Sequence, residues 1–299
     1  SRYEHHCQTN GFQTISVSKH NNSSYFDRTT VTVRKTRKKN VFSIFSSSEI
    51  PSYLKIDSVN LNYNSTFGSN TENITDVWVF VEDNLQGVYE IPVEFPILEE
   101  GQKNIRIKAG VKANGIASTR IQYPFFTSYF DTINLVKEES TTLIPTFSYN
   151  SSFEAIIEDF ENSGTIIDST LNSEIDFSVE NEMQNNFAFA SLQTPNIIFE
   201  VATQDLDLPQ QGAPVYLELD YKSTTEFLVG MYINYPQSVL KSDLVWVTAK
   251  ENWNKIYINL TQTVSENIGA ESFKVFINMR RNDPNSSEEI SFDNIKILH

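Results

Sequence analysis

Apolar side chains recur at every second position in short runs along this chain, and no long stretch repeats them at helical spacing. In residues 215–221, Val215, Leu217, Leu219 and Tyr221 alternate with Tyr216, Glu218 and Asp220. Residues 290–298 alternate Ile290, Phe292, Ile295 and Ile297 with polar neighbours and break once, at Asp293-Asn294. A period of two marks strands with one buried face, and Asn/Ser clusters between the runs mark turns. The chain is all-β. A closing strand needs no carboxylate at the break unless something binds it, so Asp293 is a candidate ligand-binding residue.

A chain of 299 residues exceeds one ordinary sandwich. The expected architecture is an N-terminal extended basic arm over residues 1–50, a small β-sandwich over 51–150 and a larger jelly-roll β-sandwich over 151–299. The run Ser46-Ser47-Ser48 followed by Pro51 breaks pairing at the first boundary. In the small sandwich, strands are expected at 54–62, 76–81, 88–91 and 104–109, with a turn over 82–87 and a strand end at Gly110. Tyr123, Phe125, Phe126, Tyr129 and Phe130 place five aromatics in eight residues. Such a stretch is core or interdomain packing, or, if exposed, a partner site.

The net charge of −15 disfavours nucleic acid, whose phosphates need a surplus of Lys and Arg. Charge is uneven: residues 1–50 hold 8 Lys/Arg against 3 Asp/Glu. Arg34, Lys35, Arg37, Lys38 and Lys39 are candidate contacts to an anionic membrane surface or an acidic partner protein, or else a solvated turn. A single cysteine, Cys7, leaves no internal disulfide and no Cys-based zinc site. No stretch approaches the ~20 apolar residues of a membrane helix.

Three resemblances carry further expectations. The order of a strand with Val77, Trp78, Val79 and Phe80, a turn reaching Gly87, a Pro-flanked loop, Glu99-Glu100-Gly101, a strand and Gly110 resembles the small Ig-like sandwiches called PEGA-type domains. Residues 151–299 resemble the carbohydrate-binding-module and galactose-binding-like superfamily. The matching features are an acidic opening at Asp159-Phe160-Glu161, the 215–221 strand, a strand from Trp253 to Leu260 and the 290–298 exit. In such modules the first and last strands lie side by side and their carboxylates hold a structural calcium. The resemblance therefore implies Asp159, Glu161 and Asp293, with Glu158 beside them, as candidate calcium ligands; the alternative is that Asp293 caps a backbone N–H. It also implies solvent-facing aromatics that stack on sugar rings, for which Tyr232, Tyr235 and Trp246 are candidates, while Trp253 reads as core. Finally, Asp57-Ser58-Val59, Asp131-Thr132-Ile133 and Asp168-Ser169-Thr170 resemble O-glycan acceptor sites of exported Bacteroidota proteins, and the whole resembles outer-membrane or cell-surface lipoproteins of that phylum. The implied anchor is an acylated cysteine upstream of Ser1.

Catalysis has little to stand on. Outside residues 1–50 the only histidine is His299, and no phosphate loop or dinucleotide fingerprint occurs. Nothing singles out a catalytic pair among 38 acidic residues. The expected function is a non-catalytic envelope lipoprotein that binds other proteins of an outer-membrane assembly. The alternative is a surface protein that uses its C-terminal jelly roll to capture polysaccharide.

Overall fold

The computed structural model describes short strands at residues 6–7, 13–16, 30–33 and 44–45, and then residues 50–62, 69 and 71–299. The first four strands, β1 (His6–Cys7), β2 (Gln13–Ser16), β3 (Thr30–Val33) and β4 (Ile44–Phe45), pair antiparallel in that order. The basic run from Arg34 to Lys39 lies outside the described residues.

The small sandwich is built from β5 (Ser52–Ile56), β6 (Asn60–Leu61), β7 (Asp76–Val81), β8 (Asn84–Glu90), β9 (Val93–Ile97), β10 (Gly101–Lys112), β11 (Arg120–Gln122), β12 (Tyr129–Leu135), β13 (Ser140–Leu143) and β14 (Thr146–Phe147). The long β10 pairs with β7 on one edge and with β12 and then β11 on the other. Opposite lie the three-stranded sheet β13-β5-β9 and the pair β14-β6. Two glycines behave differently from expectation. The β7–β8 turn is tighter than residues 82–87: Glu82 and Asp83 both take positive φ, and Gly87 sits within β8 beside a register shift. Gly110 does not end its strand either. It lets the backbone pass close to β7, where an added Cβ would come within 2.9 Å of Asp76 Cβ.

The second sandwich comprises β15 (Ala155–Glu158), β16 (Ile167–Ser169), β17 (Ser178–Glu182), β18 (Asn185–Leu192), β19 (Ile198–Thr203), β20 (Tyr216–Ser223), β21 (Phe227–Tyr235), β22 (Ser238–Val247), β23 (Lys250–Asn259), the short helix α1 (Thr261–Glu266), β24 (Ser272–Arg280) and β25 (Glu288–Leu298). One sheet runs β17-β18-β25-β20-β23, with β15 also pairing β25; the other runs β16-β19-β24-β21-β22. First and last strands therefore lie side by side. Between the sheets, alternate residues such as Leu217, Leu219, Phe227, Val229, Phe273, Ile277 and Phe292 interdigitate in one core. Each fully buried side chain of this kind contributes ~1.5–3 kcal/mol.

The break at Asp293-Asn294 is a β-bulge. Across from β25, Glu218 pairs with Lys296 and Asp220 with Asp293, so two residues of β25 face Leu219 alone. Asn294 takes φ +48°, and the Asp293 carboxylate accepts its backbone N–H at 2.6 Å. The bulge turns Asp293 and Asn294 away from the core while Phe292 and Ile295 stay in it.

The two sandwiches share a polar and aromatic junction. Tyr123, Phe125 and Phe126 are buried there against Tyr216 and Tyr257, so this part of the aromatic stretch is packing, whereas Tyr129 is half-buried and Phe130 is exposed. Glu218, fully buried, accepts the Tyr123 and Tyr149 hydroxyls at 2.8 and 2.7 Å and pairs with Lys255 at 3.2 Å. Lys255 also reaches Asp220 at 3.3 Å, and Asp220 accepts the Thr71 hydroxyl from the small sandwich at 2.6 Å. Burial, helped by the charge of Lys255, pushes the neighbouring Lys296 ammonium down to about 8.

Candidate functional site

Strand pairing places the outward residues of the β16-β19-β24-β21-β22 sheet in rungs. Glu200, Asn278, Leu228 and Trp246 face one another across four strands. The next rung holds Ala202, Phe276, Gly230 and Asp243, and the third holds Lys274, Tyr232 and Lys241. Gly230 is required by its neighbour. The Phe276 ring lies over its bare backbone, and a Cβ there would meet Phe276 Cζ at 2.3 Å. Ala202, Leu228 and Phe276 thus form a small apolar floor, against which Tyr232 packs with its ring 5.1 Å from that of Phe276.

Glu200 organises the polar part of this face. Although fully buried, it accepts hydrogen bonds from Tyr232 Oη (2.7 Å), Thr170 Oγ1 (2.8 Å), Asn172 Nδ2 (2.8 Å) and Asn278 Nδ2 (3.1 Å), and pairs with Lys241 at 2.6 Å. Burial alone would raise its carboxyl; Lys241 and the three further donors that count most, Tyr232, Asn172 and Thr170, overcome that and hold it at about 2. Glu200 in turn raises Tyr232 beyond what burial does, so the phenol stays protonated and keeps donating. The ammonium of Lys241 rests 4.3 Å from the Phe276 ring centre, covering the floor.

Beside Tyr232 a 460 Å³ groove opens to solvent, lined by Asp168, Thr170, Gln204, Asp205, Asn234 and Lys274 among others. Asp205 anchors its far side, accepting Ser272 Oγ at 2.6 Å and Asn234 Nδ2 at 2.7 Å and pairing with Lys274 at 3.5 Å. The arrangement offers a fixed aromatic edge and a row of carboxylate, amide and hydroxyl groups on rigid strands. Its lysines are already matched to carboxylates. Such a face suits an uncharged ligand rich in hydroxyl groups.

Solved structures similar to this chain are carbohydrate-binding modules. The family 11 module from Clostridium thermocellum, in complex with a β-1,3-1,4-mixed-linked tetrasaccharide, is 15% identical, covering 48% of this chain and 94% of its own, with a TM-score of 0.35. The family 30 module of a cellulosomal cellulase from the same organism is 16% identical over 48% of this chain and 96% of its own, with a TM-score of 0.37. A third structure, described for the promiscuous specificity of modules from the β-sandwich superfamily, is 12% identical over 84% of this chain and 97% of its own, with a TM-score of 0.36. No protein-family model matches the chain, and no curated protein matches it in sequence.

The structure separates the three aromatic candidates. Tyr232 sits in the face, and Trp246, opposite Leu228 and 53% exposed, lies at its edge. Tyr235, three residues after Tyr232, points to the other side, packs against the core and donates its hydroxyl to Asn267 Oδ1. Period two explains the difference. Glu200, Phe276, Asn278 and Lys241 were not among the sequence candidates. Glu200 left one trace: it is a lone carboxylate inside the apolar run from Ile197 to Val201.

The candidate calcium ligands are each engaged by N–H donors. Glu158 accepts Phe160 and Ile166 N–H, Asp159 accepts Glu161 N–H, and Glu161 accepts both the backbone and side-chain N–H of Asn186. Asp293 accepts the Asn185 and Asn294 side-chain amides and the Asn294 backbone N–H. Among the described residues no group of three or more His, Cys, Asp or Glu could hold a metal ion. In this structure Asp293 caps the bulge.

Capping has a cost in charge. Burial pushes the Asp293 carboxyl up to about 6, from an ordinary value of ~4. For a raised acid the penalty is absent at low pH, where both folded and unfolded chains are protonated, and is fully present above pH 6. Stability from this group therefore falls as pH rises from ~4 to about 6. Asp293→Asn should lose that fall, gaining ~2 kcal/mol on the native chain between pH 4 and pH 7. Thermal midpoints of the two proteins across that range test it; parallel curves would contradict it.

Proposed function

We propose that this protein is a non-catalytic saccharide-binding protein that holds a neutral polysaccharide chain on the outer face of its β16-β19-β24-β21-β22 sheet. The observation that carries the reading is the Tyr232–Glu200 pair: a buried carboxylate fixes an aromatic ring at the rim of a polar groove. A sugar ring offers an apolar C–H face to Tyr232 and hydroxyls to Asp205, Asn234 and Asp168. An acidic chain whose lysines on this face are paired disfavours polyanions.

Retardation of the native chain in gels containing soluble β-1,3-1,4-glucan, xylan or galactomannan, with polygalacturonate as anionic control, tests this reading. Tyr232→Ala should weaken binding at least about tenfold, ~1.4 kcal/mol. Tyr235→Phe, on the other side of the sheet, should bind as the native chain does. Equal mobility with and without every neutral polymer would overturn the proposal. We propose further, from resemblance, an envelope location with an acyl anchor, which the intact mass of natively produced protein tests.

A further inference from the structure

The opposite face of the same jelly roll carries a second groove. The outer face of the β17-β18-β25-β20-β23 sheet is only half covered by the small sandwich. On the open half, Trp253 is 40% exposed although it lies in a regular strand, and its ring stands at 80° against Phe187, 5.4 Å between centres. Lys222 lies 5.1 Å from both ring centres and 3.4 Å from Glu182, which fixes the pair in place. On one side a 540 Å³ cavity runs to the junction, where Thr71 and Glu72 of the small sandwich meet Asn185, Asn254 and Asn294. On the other side a 640 Å³ groove, sharing Phe187, continues past Ser223, Thr224 and Glu289. Both volumes lie within the ~300–1,000 Å³ of small-ligand sites.

Two features point to a ligand. Trp253, 40% exposed, presents its indole at the mouth of the first cavity, against the Phe187 ring that lines both. The walls are also rich in acceptors, with carboxylates outnumbering lysines seven to three along the two cavities. Such walls reject anionic polymers and favour donors. An indole face beside hydroxyl-seeking carboxylates and amides matches a sugar ring.

We infer that this groove binds a second segment of neutral polysaccharide, so that one jelly roll holds two chains, one on each face. The second site stands on its own residues, independent of Tyr232. Calorimetry on the full chain with oligosaccharides of β-1,3-1,4-glucan, xylan and galactomannan tests it, using the native protein, Tyr232→Ala, Trp253→Ala and the double variant. Trp253→Leu is added because it keeps apolar cover over Phe187 if the alanine variant folds poorly. The expected result is two sites per native chain, one in each single variant and none in the double. Native protein should also cross-link the long polymer into turbid suspension, and either single variant should leave it clear.

Native-like stoichiometry in both Trp253 variants overturns the inference, and a single site removed by Tyr232→Ala alone does so while upholding the proposed function. A single site removed by the Trp253 variants and untouched by Tyr232→Ala upholds the inference and overturns the proposed function. No binding to any of the three sugars overturns both.

Discussion

Glu218→Ala should destabilise the protein by ~3–5 kcal/mol and separate the unfolding of the two sandwiches. Glu218 sits at the centre of the junction, fully buried, and gathers Tyr123 Oη, Tyr149 Oη and Lys255 Nζ. Removing it leaves two buried phenols without their carboxylate acceptor, each worth ~1–3 kcal/mol. Among the described residues Lys255 then keeps Asp220 as its buried counter-charge. Because Tyr123 and Tyr149 belong to the small sandwich and Glu218 to β20, the loss falls on the contact between the two. Urea unfolding followed by tryptophan fluorescence reads it out, since Trp78 reports on one sandwich and Trp246 and Trp253 on the other. A coordinated change, Glu218→Leu with Lys255→Met, Asp220→Asn, Tyr123→Phe and Tyr149→Phe, should cost less than the single alanine. A buried ion pair adds little net stability over apolar replacements, and the penalty comes from breaking it halfway. A single variant as stable as the native chain would show that the junction does not hold the sandwiches together.

The strands were legible because the buried face of a sheet writes a period of two into the chain, as at Leu217, Leu219 and Tyr221. What the period cannot encode is a local choice between neighbours. The tight turn at Glu82-Asp83 puts both residues in positive φ, of which only Asp is a common turn former, while Gly87, the more obvious turn residue, sits inside a strand. At Asp293-Asn294 the interrupted alternation was visible, and its cause, an extra residue opposite Leu219, needed the partner strand. The same limit governs the candidate site. Tyr232 stood out as an aromatic, but the carboxylate that fixes it is 32 residues away in sequence, on a strand that reaches it only through β24. Period two did separate Tyr232 from Tyr235 in principle. Using it required knowing which face of β21 met the core, and Phe227, Val229, Met231 and Ile233 together give that answer.

Glu200→Ala should have the second large effect, ~3–5 kcal/mol in stability, together with loss of binding on its face. The carboxylate satisfies five side chains from four parts of the fold: Thr170, Asn172, Tyr232, Lys241 and Asn278. Without it the Asn278 amide is left buried and unpaired, and Lys241 loses its hold over Phe276. Glu200→Gln separates the charge from the shape. The amide retains one acceptor oxygen, so Tyr232 keeps a partner while Lys241 does not, and the expected cost is ~2 kcal/mol at neutral pH. The pH dependence distinguishes this from a packing defect. A depressed acid contributes stability that is complete above its ordinary value of ~4.5 and is lost as pH falls through about 2. Allowing for screening at Lys241, which is 38% exposed, that contribution is ~2 kcal/mol. Native protein and Glu200→Gln should therefore differ at pH 7 and converge towards pH 2 in urea titrations. Equal stability of the two proteins over that range would mean that Glu200 acts through its volume, and Tyr232 would then be held by packing on Phe276 instead of by the carboxylate.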